Sequence, residues 1–275
     1  MVQLQNINFA YRSNKPVLRN ITLEIGAGSI YGLLGKNGEG KTTLLNILCG
    51  QLFPRNGICR VLDCEPQKRA ADFLSRVFIL PEEVNMPDVT ADAYINMYRP
   101  FYPSFSQEIA DLCFRELEIE AGKRISRMSL GQKKKVALAL ALSVQVPLLL
   151  LDEPTNGLDI PSKAVFRKLV STCLNENQTV VISTHQVRDL ESLIDSVLIL
   201  ENSRILLNAN LNEISEKLFF RLVSPDEKVF YSETSPAGLI GTGENTSGEE
   251  TPVSLELLFQ AVTRNPAEMK RLFNK

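Results

Sequence analysis

The chain of 275 residues contains no tryptophan, a single histidine (His185) and few cysteines. The cysteines are odd in number, irregularly spaced and without a C-x-x-C pair: Cys49, Cys59, Cys64, Cys113 and Cys173. With so few Cys and His ligands, the sequence argues against a structural zinc site. It also argues against a disulfide framework, so we expect reduced cysteines in a cytosolic protein.

Neither sign of charge dominates, and no apolar run is long enough to cross a membrane. The 30 basic and 32 acidic residues leave a formal net charge of -2, which predicts no general binding to nucleic acid. The longest apolar run, "VALALALSVQVPLLLL" (136–151), is shorter than the roughly 20 residues of a span and contains Pro147. We expect a buried helix, a turn at Pro147 and a buried strand. The start of the chain lacks the features of a secretory signal.

Strand-like and helix-like segments alternate along most of the chain. Apolar strands are predicted at "RVFIL", "LLLLD", "TVVIST" and "SVLIL", and helices at "PSKAVFRKLVSTCLNE" and "VRDLESLI". The first two segments, "VQLQNINFAY" and "VLRNITLEI", alternate as edge or hairpin strands do. This order predicts an α/β fold with a mostly parallel sheet covered on both faces. The short basic cluster from Lys133 to Lys135 is interpreted as a solvated helix face.

The chain divides into a main domain and a small tail. Residues 1–205 form the predicted main domain, with a helical subdomain inserted at about 84–142. Residues 206–275 are predicted to form a C-terminal α+β appendage with its own strands and a final helix, "VSLELLFQAVTRN". Within it, the polar and glycine-rich "GTGENTSGEETP" (241–252) predicts a loop or mobile linker.

A phosphate-binding loop is predicted in "GLLGKNGEGKTT" (32–43). Gly35, Gly40, Lys41 and Thr42 fit the pattern G-x-x-x-x-G-K-[ST]. An apolar strand candidate precedes the pattern and an apolar helix candidate follows it, as the motif requires. Glycines let a ligand approach the backbone, whose free N–H groups attract anions. We expect Lys41 to contact the β- and γ-phosphates and Thr42 to ligate Mg²⁺.

Further candidates for chemistry follow two buried strands. "LLLLDEP" ends in Asp152, expected to hold Mg²⁺, and Glu153, expected to polarise a water for attack on the γ-phosphate. His185 directly follows "TVVIST", at the strand end where such sheets bind ligands, and is predicted to hydrogen-bond the γ-phosphate. Asp152, Glu153 and His185 are thus all predicted to act on the same triphosphate.

"MSLGQKKK" (128–135) precedes an alanine- and leucine-rich helix, and two readings of it stay open. Ser129, Gly131 and Gln132 stand at or before the N-terminus of that helix, where an anion would be favoured. Ser129 alone would also serve as an ordinary N-cap.

Together these motifs resemble the ATP-binding subunit of an ABC transporter, over roughly residues 1–205. "GKNGEGKT" resembles the Walker A motif, "LLLLDE" the Walker B motif, "SLGQ" the signature, "NGLD" the D-loop and "STH" the switch-histidine segment. The resemblance implies a P-loop NTPase (RecA-like) core with an antiparallel β edge. It implies that Tyr11 stacks on adenine and that Asp159 is the D-loop carboxylate. It also implies ATP contacts from most residues of the phosphate-binding loop and the start of the helix after it: Gly35, Lys36, Asn37, Gly38, Gly40, Lys41, Thr42 and Thr43.

The sequence departs from the family pattern at three positions. Leu130 replaces a signature glycine, and Gly157 lies in the D-loop where a small polar residue or alanine is frequent. Glu82, in "FILPEEV", stands where the family places a glutamine that touches Mg²⁺, with Glu83 as an alternative register. A carboxylate also ligates a hard cation, so Thr42, Glu82 and Asp152 are the expected metal residues.

The resemblance also implies cofactors and partners. These are ATP with Mg²⁺, a second cassette subunit expected to be a second copy, and a separate transmembrane permease that docks on the helical insertion and the Glu82 loop. Such a subunit lies on the cytoplasmic face of the cell membrane, and the tail resembles exporter-type subunits. The alternatives are a soluble ABC protein acting on ribosomes or DNA, and a regulatory cassette without transport. The first usually has two cassettes or a long coiled coil, and a non-hydrolysing cassette predicts loss of Glu153 or His185, which are present.

Overall fold

The structure, a computed structural model, describes residues 1–12 and 15–273. In chain order the strands are β1 Val2–Phe9, β2 Leu18–Ile25, β3 Ile30–Leu34, β4 Asn56–Val61, β5 Val77–Leu80, β6 Leu148–Asp152, β7 Thr179–Thr184, β8 Ser196–Glu201, β9 Arg204–Asn210, β10 Leu218–Leu222, β11 Tyr231–Ser235 and β12 Gly238–Glu244. The helices are α1 Lys41–Leu48, α2 Ala71–Leu74, α3 Ala91–Tyr98, α4 Gln107–Glu116, α5 Leu130–Ser143, α6 Ile160–Cys173, α7 Leu211–Lys217, α8 Leu255–Arg264 and α9 Pro266–Phe273.

A six-stranded sheet in the order β5-β6-β7-β3-β8-β9 forms the centre of the molecule. All neighbouring pairs are parallel except β8 and β9, which are antiparallel. Strands covered on both faces are apolar throughout, which explains continuous runs such as the one in β6. The predicted α/β fold with a parallel sheet is confirmed. Because the strands are parallel, the carboxyl ends of β3, β6 and β7 meet at one edge.

One face of the central sheet is covered by α1 and by a second, antiparallel sheet in the order β2-β1-β4. The alternation of "VQLQNINF" appears directly as burial, with Val2, Leu4 and Ile7 in the core. These side chains share one hydrophobic cluster with Leu44 and Leu45 of α1. The loop between β3 and α1 is therefore fixed at both of its ends by buried structure.

The other face of the central sheet is covered by α3, α4, α5 and α6 together with α8 from the tail. Leu255, Leu258 and Val262 of α8 belong to the same hydrophobic cluster as residues of α5 and β7. The predicted boundary at residue 205 falls inside β9, which pairs with β8 of the central sheet. The division of the chain into two domains at that point remains a prediction.

The tail carries a third sheet in the order β10-β12-β11, and here part of a predicted loop is wrong. The start of "GTGENTSGEETP" belongs to β12, which pairs with β10 on one side and β11 on the other. A Cβ at Gly243 would lie 2.8 Å from the ring of Phe219. The glycines of this strand thus allow close packing, a tertiary effect that local composition does not reveal.

The predicted helix over "VRDLESLI" is also wrong. Only a short 3-10 turn forms at Val187–Asp189, and the following residues turn to bury Leu190, Leu193 and Ile194. Isolated segments this short are poor helices in water. The segment is instead tied to α8: Arg188 Nε and Nη2 donate to the two carboxylate oxygens of Glu256 at 2.9 and 3.0 Å.

Over residues 1–12 and 15–273, no helix combines the length and the apolar character needed to span a membrane.

Candidate active site

The loop of residues 35–40 connects the end of β3 to the start of α1. Gly40, the residue before α1, has a φ of 104°, in the left-handed region that favours glycine. A Cβ at Gly35 would lie 2.4 Å from the carbonyl oxygen of Leu200 on β8. Glycine is required at the first of these positions by backbone conformation and at the second by close packing against the sheet.

Lys41 is buried at the first position of α1, with 6% of its surface exposed. Its Nζ donates to the carbonyl oxygens of Gly35 at 2.7 Å and Lys36 at 3.3 Å, and lies 3.6 Å from Oε1 of Glu153. The ammonium is thus held inside the curve of its own loop. An anion entering that curve would meet a positioned cation and a helix N-terminus.

Thr42, Asp152 and Ser183 form a cluster of oxygen atoms where α1 meets the ends of β6 and β7. The Thr42 hydroxyl donates to Oδ2 of Asp152 at 2.6 Å, and the Ser183 hydroxyl donates to Oδ1 of the same carboxylate. Asp152 is buried, and each of its carboxylate oxygens accepts a hydrogen bond from one of these hydroxyls. Hydroxyl and carboxylate oxygens are the ligands that Mg²⁺ prefers, so this donor set suits a hard divalent cation.

Glu153 is buried and held in an uncommon conformation. Its φ of 45° lies in the left-handed region, which in non-glycine residues is frequently associated with functional sites. Its N–H donates to the carbonyl oxygen of Ser183 at 3.2 Å and to the Ser183 hydroxyl at 3.1 Å. Oε1 lies 2.9 Å from Nδ1 of His185. In the described part of the chain, the buried Oε2 has no hydrogen-bond partner, which leaves a strong acceptor for a ligand or water.

These groups surround a cavity of about 350 Å³. It is lined by Tyr11, Val17, Asn37, Gly38, Gly40, Lys41, Thr42, Thr43, Glu82, Asp152, Glu153 and His185. Tyr11 stands at the mouth with 62% of its surface exposed, and its hydroxyl lies 3.1 Å from that of Thr43. All of these except Val17 were predicted from the sequence. Val17 lies in no motif, and we find no sequence signal that would have selected it.

The remaining predicted residues lie outside this cavity. Lys36 extends from the loop toward Glu201, with 2.6 Å between Nζ and Oε1, and this hydrogen bond raises the pKa of Lys36. Asp159 caps α6 by accepting from the backbone N–H of Ser162 at 2.8 Å. The hydrogen bond with the Ser162 side chain, followed by the one from its backbone N–H, lowers the pKa of the Asp159 carboxyl. Gly35 does not line the cavity and packs against the backbone of Leu200.

The signature residues form a helix cap on a different surface from the cavity. The Ser129 hydroxyl accepts from the N–H of Gln132 at 3.2 Å, and Oε1 of Gln132 accepts from the N–H of Ser129 at 3.1 Å. This reciprocal capping box begins α5. Gly131 is half-buried, while Ser129 and Gln132 are exposed, so a ligand brought by another molecule has access to them.

Lys134 contradicts the interpretation of residues 133–135 as a solvated helix face. It is 4% exposed, and its Nζ donates to the carbonyl oxygens of Glu82 at 3.0 Å and Pro81 at 3.5 Å. Burial lowers the pKa of Lys134, against the opposing charges of Glu82, Asp152 and Glu153. The available signal was helical spacing, because Lys134 precedes the buried Ala137 and Leu138 by three and four positions.

Glu82 is held from a second side. Its Oε1 accepts from Nδ2 of Asn156 at 3.0 Å, in the turn that follows β6. Asn156 and Ser183 lie in the predicted D-loop and switch-histidine segments, but the sequence predicted no individual role for either of them. Both act through residues distant in the chain, so only the folded structure identifies their partners.

Comparison with known protein families gives a match to the ABC transporter family over residues 18–156. The chain is 30% identical over 226 residues to the ABC transporter ATP-binding protein NatA of Bacillus subtilis, covering 78% of this chain and 92% of that protein. It is likewise 30% identical over 209 residues to the Nod factor export ATP-binding protein I of Burkholderia orbicola, covering 74% of this chain and 68% of the other.

Solved structures show the same architecture. An ATP-binding subunit of an ABC transporter superimposes with a TM-score of 0.70 at 22% identity, covering 78% of this chain and 91% of the other. A dimeric ATP-binding cassette in a post-hydrolysis state, bound to ADP and Pi, gives a TM-score of 0.67 at 25% identity and covers 77% and 99%.

Proposed function

This chain belongs to the ABC transporter family as an ATP-binding and ATP-hydrolysing subunit, and on that premise we propose that two copies pair around ATP to drive a separate membrane permease. The observation that carries the proposal is the single cavity that joins Lys41, the Thr42–Asp152 pair and the Glu153–His185 pair. The two members of each pair come from different elements of the fold. Lys41 provides a cation for the phosphates, Thr42 and Asp152 provide oxygen ligands for a metal ion, and Glu153 provides a base for the attacking water.

We assign the triphosphate to the loop of residues 35–43. Lys41 offers its ammonium to the β- and γ-phosphates, exchanging the carbonyl contacts that it makes now. Tyr11 at the mouth of the cavity stacks on the adenine. Thr42, Asp152 and Glu82 would hold Mg²⁺, which neutralises charge on the phosphate oxygens when bound. The supporting fact is that these oxygen donors line the same cavity as Lys41.

Glu153 is the proposed general base. Its unpartnered Oε2 accepts a proton from a water while the water oxygen forms a bond to the γ-phosphorus. The bond between that phosphorus and the β–γ bridging oxygen breaks, which gives ADP and inorganic phosphate. His185 is hydrogen-bonded to the other oxygen of Glu153 and is placed to position the carboxylate relative to the γ-phosphate.

A second copy would complete the site. Ser129, Gly131 and Gln132 lie apart from their own cavity, so they are available to the ATP of a partner in a two-fold, head-to-tail pair. Two large apolar side chains on this face are exposed, Leu130 at 77% and Ile160 at 83%. Such exposure fits burial in a complex. The solved post-hydrolysis cassette is itself dimeric, which supports pairing of two copies.

A separate apolar cavity supports docking of a permease. It measures about 790 Å³ and lies between the inserted helices and the edge strand β5. Aromatic and aliphatic side chains line it, among them Leu80, Tyr94, Tyr98 and Tyr102, with Phe101 at its rim 68% exposed. A helix from a membrane protein would fit such a groove. In this proposal the chain works on the cytoplasmic face of a cell membrane.

The test is Glu153→Gln, which keeps the shape of the side chain and removes the base. We expect the variant to bind ATP with Mg²⁺, to lose at least about 100-fold in turnover, and to elute as a dimer with ATP but not with ADP. Light scattering measures the mass, and Lys41→Ala in the same background is the control that prevents nucleotide-dependent pairing. A variant that hydrolyses ATP at the wild-type rate, or stays monomeric at saturating ATP, contradicts the proposal.

A further inference from the structure

We infer that Lys134 is a positioning residue for hydrolysis, whose ammonium fixes the loop that carries Glu82 and offsets the negative charge that this glutamate brings to the site. The inference rests on the proposed function, because the role of Glu82 beside the metal is part of that proposal. Lys134 itself lines no part of the cavity, so any effect on turnover acts through its neighbours.

The geometry places Lys134 directly against the backbone of the Glu82 loop. Its Nζ donates to two successive carbonyl oxygens, those of Pro81 and Glu82. The loop residues 81–83 are themselves exposed and follow the end of β5, so they have little packing of their own. Removing the ammonium would leave these partly buried carbonyl acceptors without that donor and release the start of the loop.

The charges explain why a lysine is needed at this position. The cavity already contains the carboxylates of Asp152 and Glu153, and Glu82 adds a third where a triphosphate would bind. In the described part of the chain, Lys41 and Lys134 are the two buried lysines. Lys41 is engaged by the phosphate loop, which leaves Lys134 to balance Glu82.

Lys134 also connects the Glu82 loop to the helix that carries the signature residues. It is in α5, whose N-terminal cap is formed by Ser129 and Gln132, the residues assigned to the ATP of the partner. On the opposite side, Asn156 binds the Glu82 carboxylate. The Glu82 loop is thus held between the helix that faces the partner and the turn that follows Glu153. A displacement of α5 in the pair would reach the loop through Lys134.

The first experiment measures loop order without nucleotide or metal. Cleavage of the full-length protein by a glutamate-specific protease in EDTA, mapped by mass spectrometry, is compared for wild type, Lys134→Met and Lys168→Met. Methionine fills a buried position without charge, and Lys168 pairs with Glu116, neither of which lines the cavity. We expect cleavage after Glu82 and Glu83 to be at least about tenfold faster in Lys134→Met and unchanged in Lys168→Met. Equal cleavage rates at these two positions in all three proteins overturn the inference.

The second experiment is a double-mutant cycle on ATP hydrolysis. Lys134→Met should lower kcat at least about tenfold while KM for ATP stays within about threefold. Glu82→Gln removes the charge that Lys134 balances, so the double variant should recover at least about threefold over Lys134→Met. A purely structural lysine would give no such recovery. If the two changes multiply independently, or Lys134→Met turns over like wild type, the inference is wrong.

The design separates this inference from the proposed function. Wild-type turnover and its loss in Glu153→Gln test the function, whereas the proteolysis experiment needs no turnover at all. If Lys134→Met does not fold, Lys134→Gln replaces it in the hydrolysis experiment, because its amide is a neutral donor that removes the charge. Lys134→Arg, which keeps the charge, should retain more turnover than Lys134→Gln, and the reverse order contradicts a charge role.

Discussion

At the residue scale, Lys41 is the residue proposed to bind the β- and γ-phosphates. Its ammonium is already desolvated and held by the carbonyls of Gly35 and Lys36, so little ordering remains when a phosphate replaces them. Hydrogen bonds to charged groups contribute about 2 kcal/mol, so Lys41→Ala should weaken ATP binding at least tenfold. Isothermal titration calorimetry measures the affinity, with the exposed Lys68 replaced by alanine as the charge control. Unchanged affinity in folded Lys41→Ala would remove the phosphate loop from the site.

Tyr11 is the residue expected to read the base. Its ring is exposed at the mouth of the cavity, and its hydroxyl contacts Thr43. Loss of an aromatic stack of about 1 kcal/mol predicts that Tyr11→Ala weakens ATP roughly fivefold and inorganic triphosphate hardly at all. Tyr11→Phe keeps the ring and loses only the hydroxyl, so it should bind ATP like wild type. Competition against a fluorescent ATP analogue gives both affinities, and equal losses for the two ligands would refute stacking.

Single residues were predictable where the chemistry is local in the chain. Lys41 and Thr42 are identified by a pattern of eight positions, and Asp152 and Glu153 by their place after an apolar strand. The contacts of Lys134 and Asn156 with Glu82 were not predicted, because Glu82 lies 52 and 74 positions away from them. Only tertiary packing decides whether a lysine in a basic run faces water or a buried carbonyl.

At the element scale, the start of α5 has two proposed roles that can be separated. Ser129→Ala removes the capping acceptor of Gln132 and should lower the free energy of unfolding by about 1 kcal/mol. Ser129→Asp keeps a good cap, so its stability should stay close to wild type, but it presents a carboxylate to the triphosphate of a partner. In the Glu153→Gln background we therefore expect Ser129→Asp to abolish the ATP-dependent dimer.

Urea unfolding and light scattering distinguish the two roles of this helix start. If Ser129 acts as a cap alone, Ser129→Asp forms the dimer as readily as its parent. If it contacts nucleotide as proposed, stability and dimerisation separate in this one variant.

Helices and strands were predictable where the hydrophobic pattern is clear. They were less predictable where contacts with distant parts of the chain determine the local structure. The apolar runs of β6 and β7 are confirmed as strands of the parallel sheet. Residues 187–194 have helical spacing but follow the surface of α8 instead, and β12 has the composition of a loop but pairs on both sides. In both cases the partner lies elsewhere in the chain.

At the scale of the whole molecule, the tail and the central sheet share one hydrophobic core. Leu258 of α8 is fully buried in the same cluster as residues of β7 and α5. Leu258→Ala should therefore lower the free energy of unfolding by about 2–5 kcal/mol within one cooperative transition. Urea unfolding followed by circular dichroism and by tyrosine fluorescence tests this, since the chain has no tryptophan. A separate early transition in the variant would instead show that the tail unfolds on its own.

The pair of Arg188 and Glu256 gives the segment after His185 a dependence on ionic strength. Its side chains are 80% and 42% exposed, so mobile ions reach both charges. Exposed pairs contribute little to stability, and at about 1 M salt the screening length falls to about 3 Å. Salt should therefore loosen residues 187–191 from α8 while the buried contacts of Lys41 and Lys134 persist. The segment that follows His185 would then be held more tightly against α8 in dilute buffer than in concentrated salt.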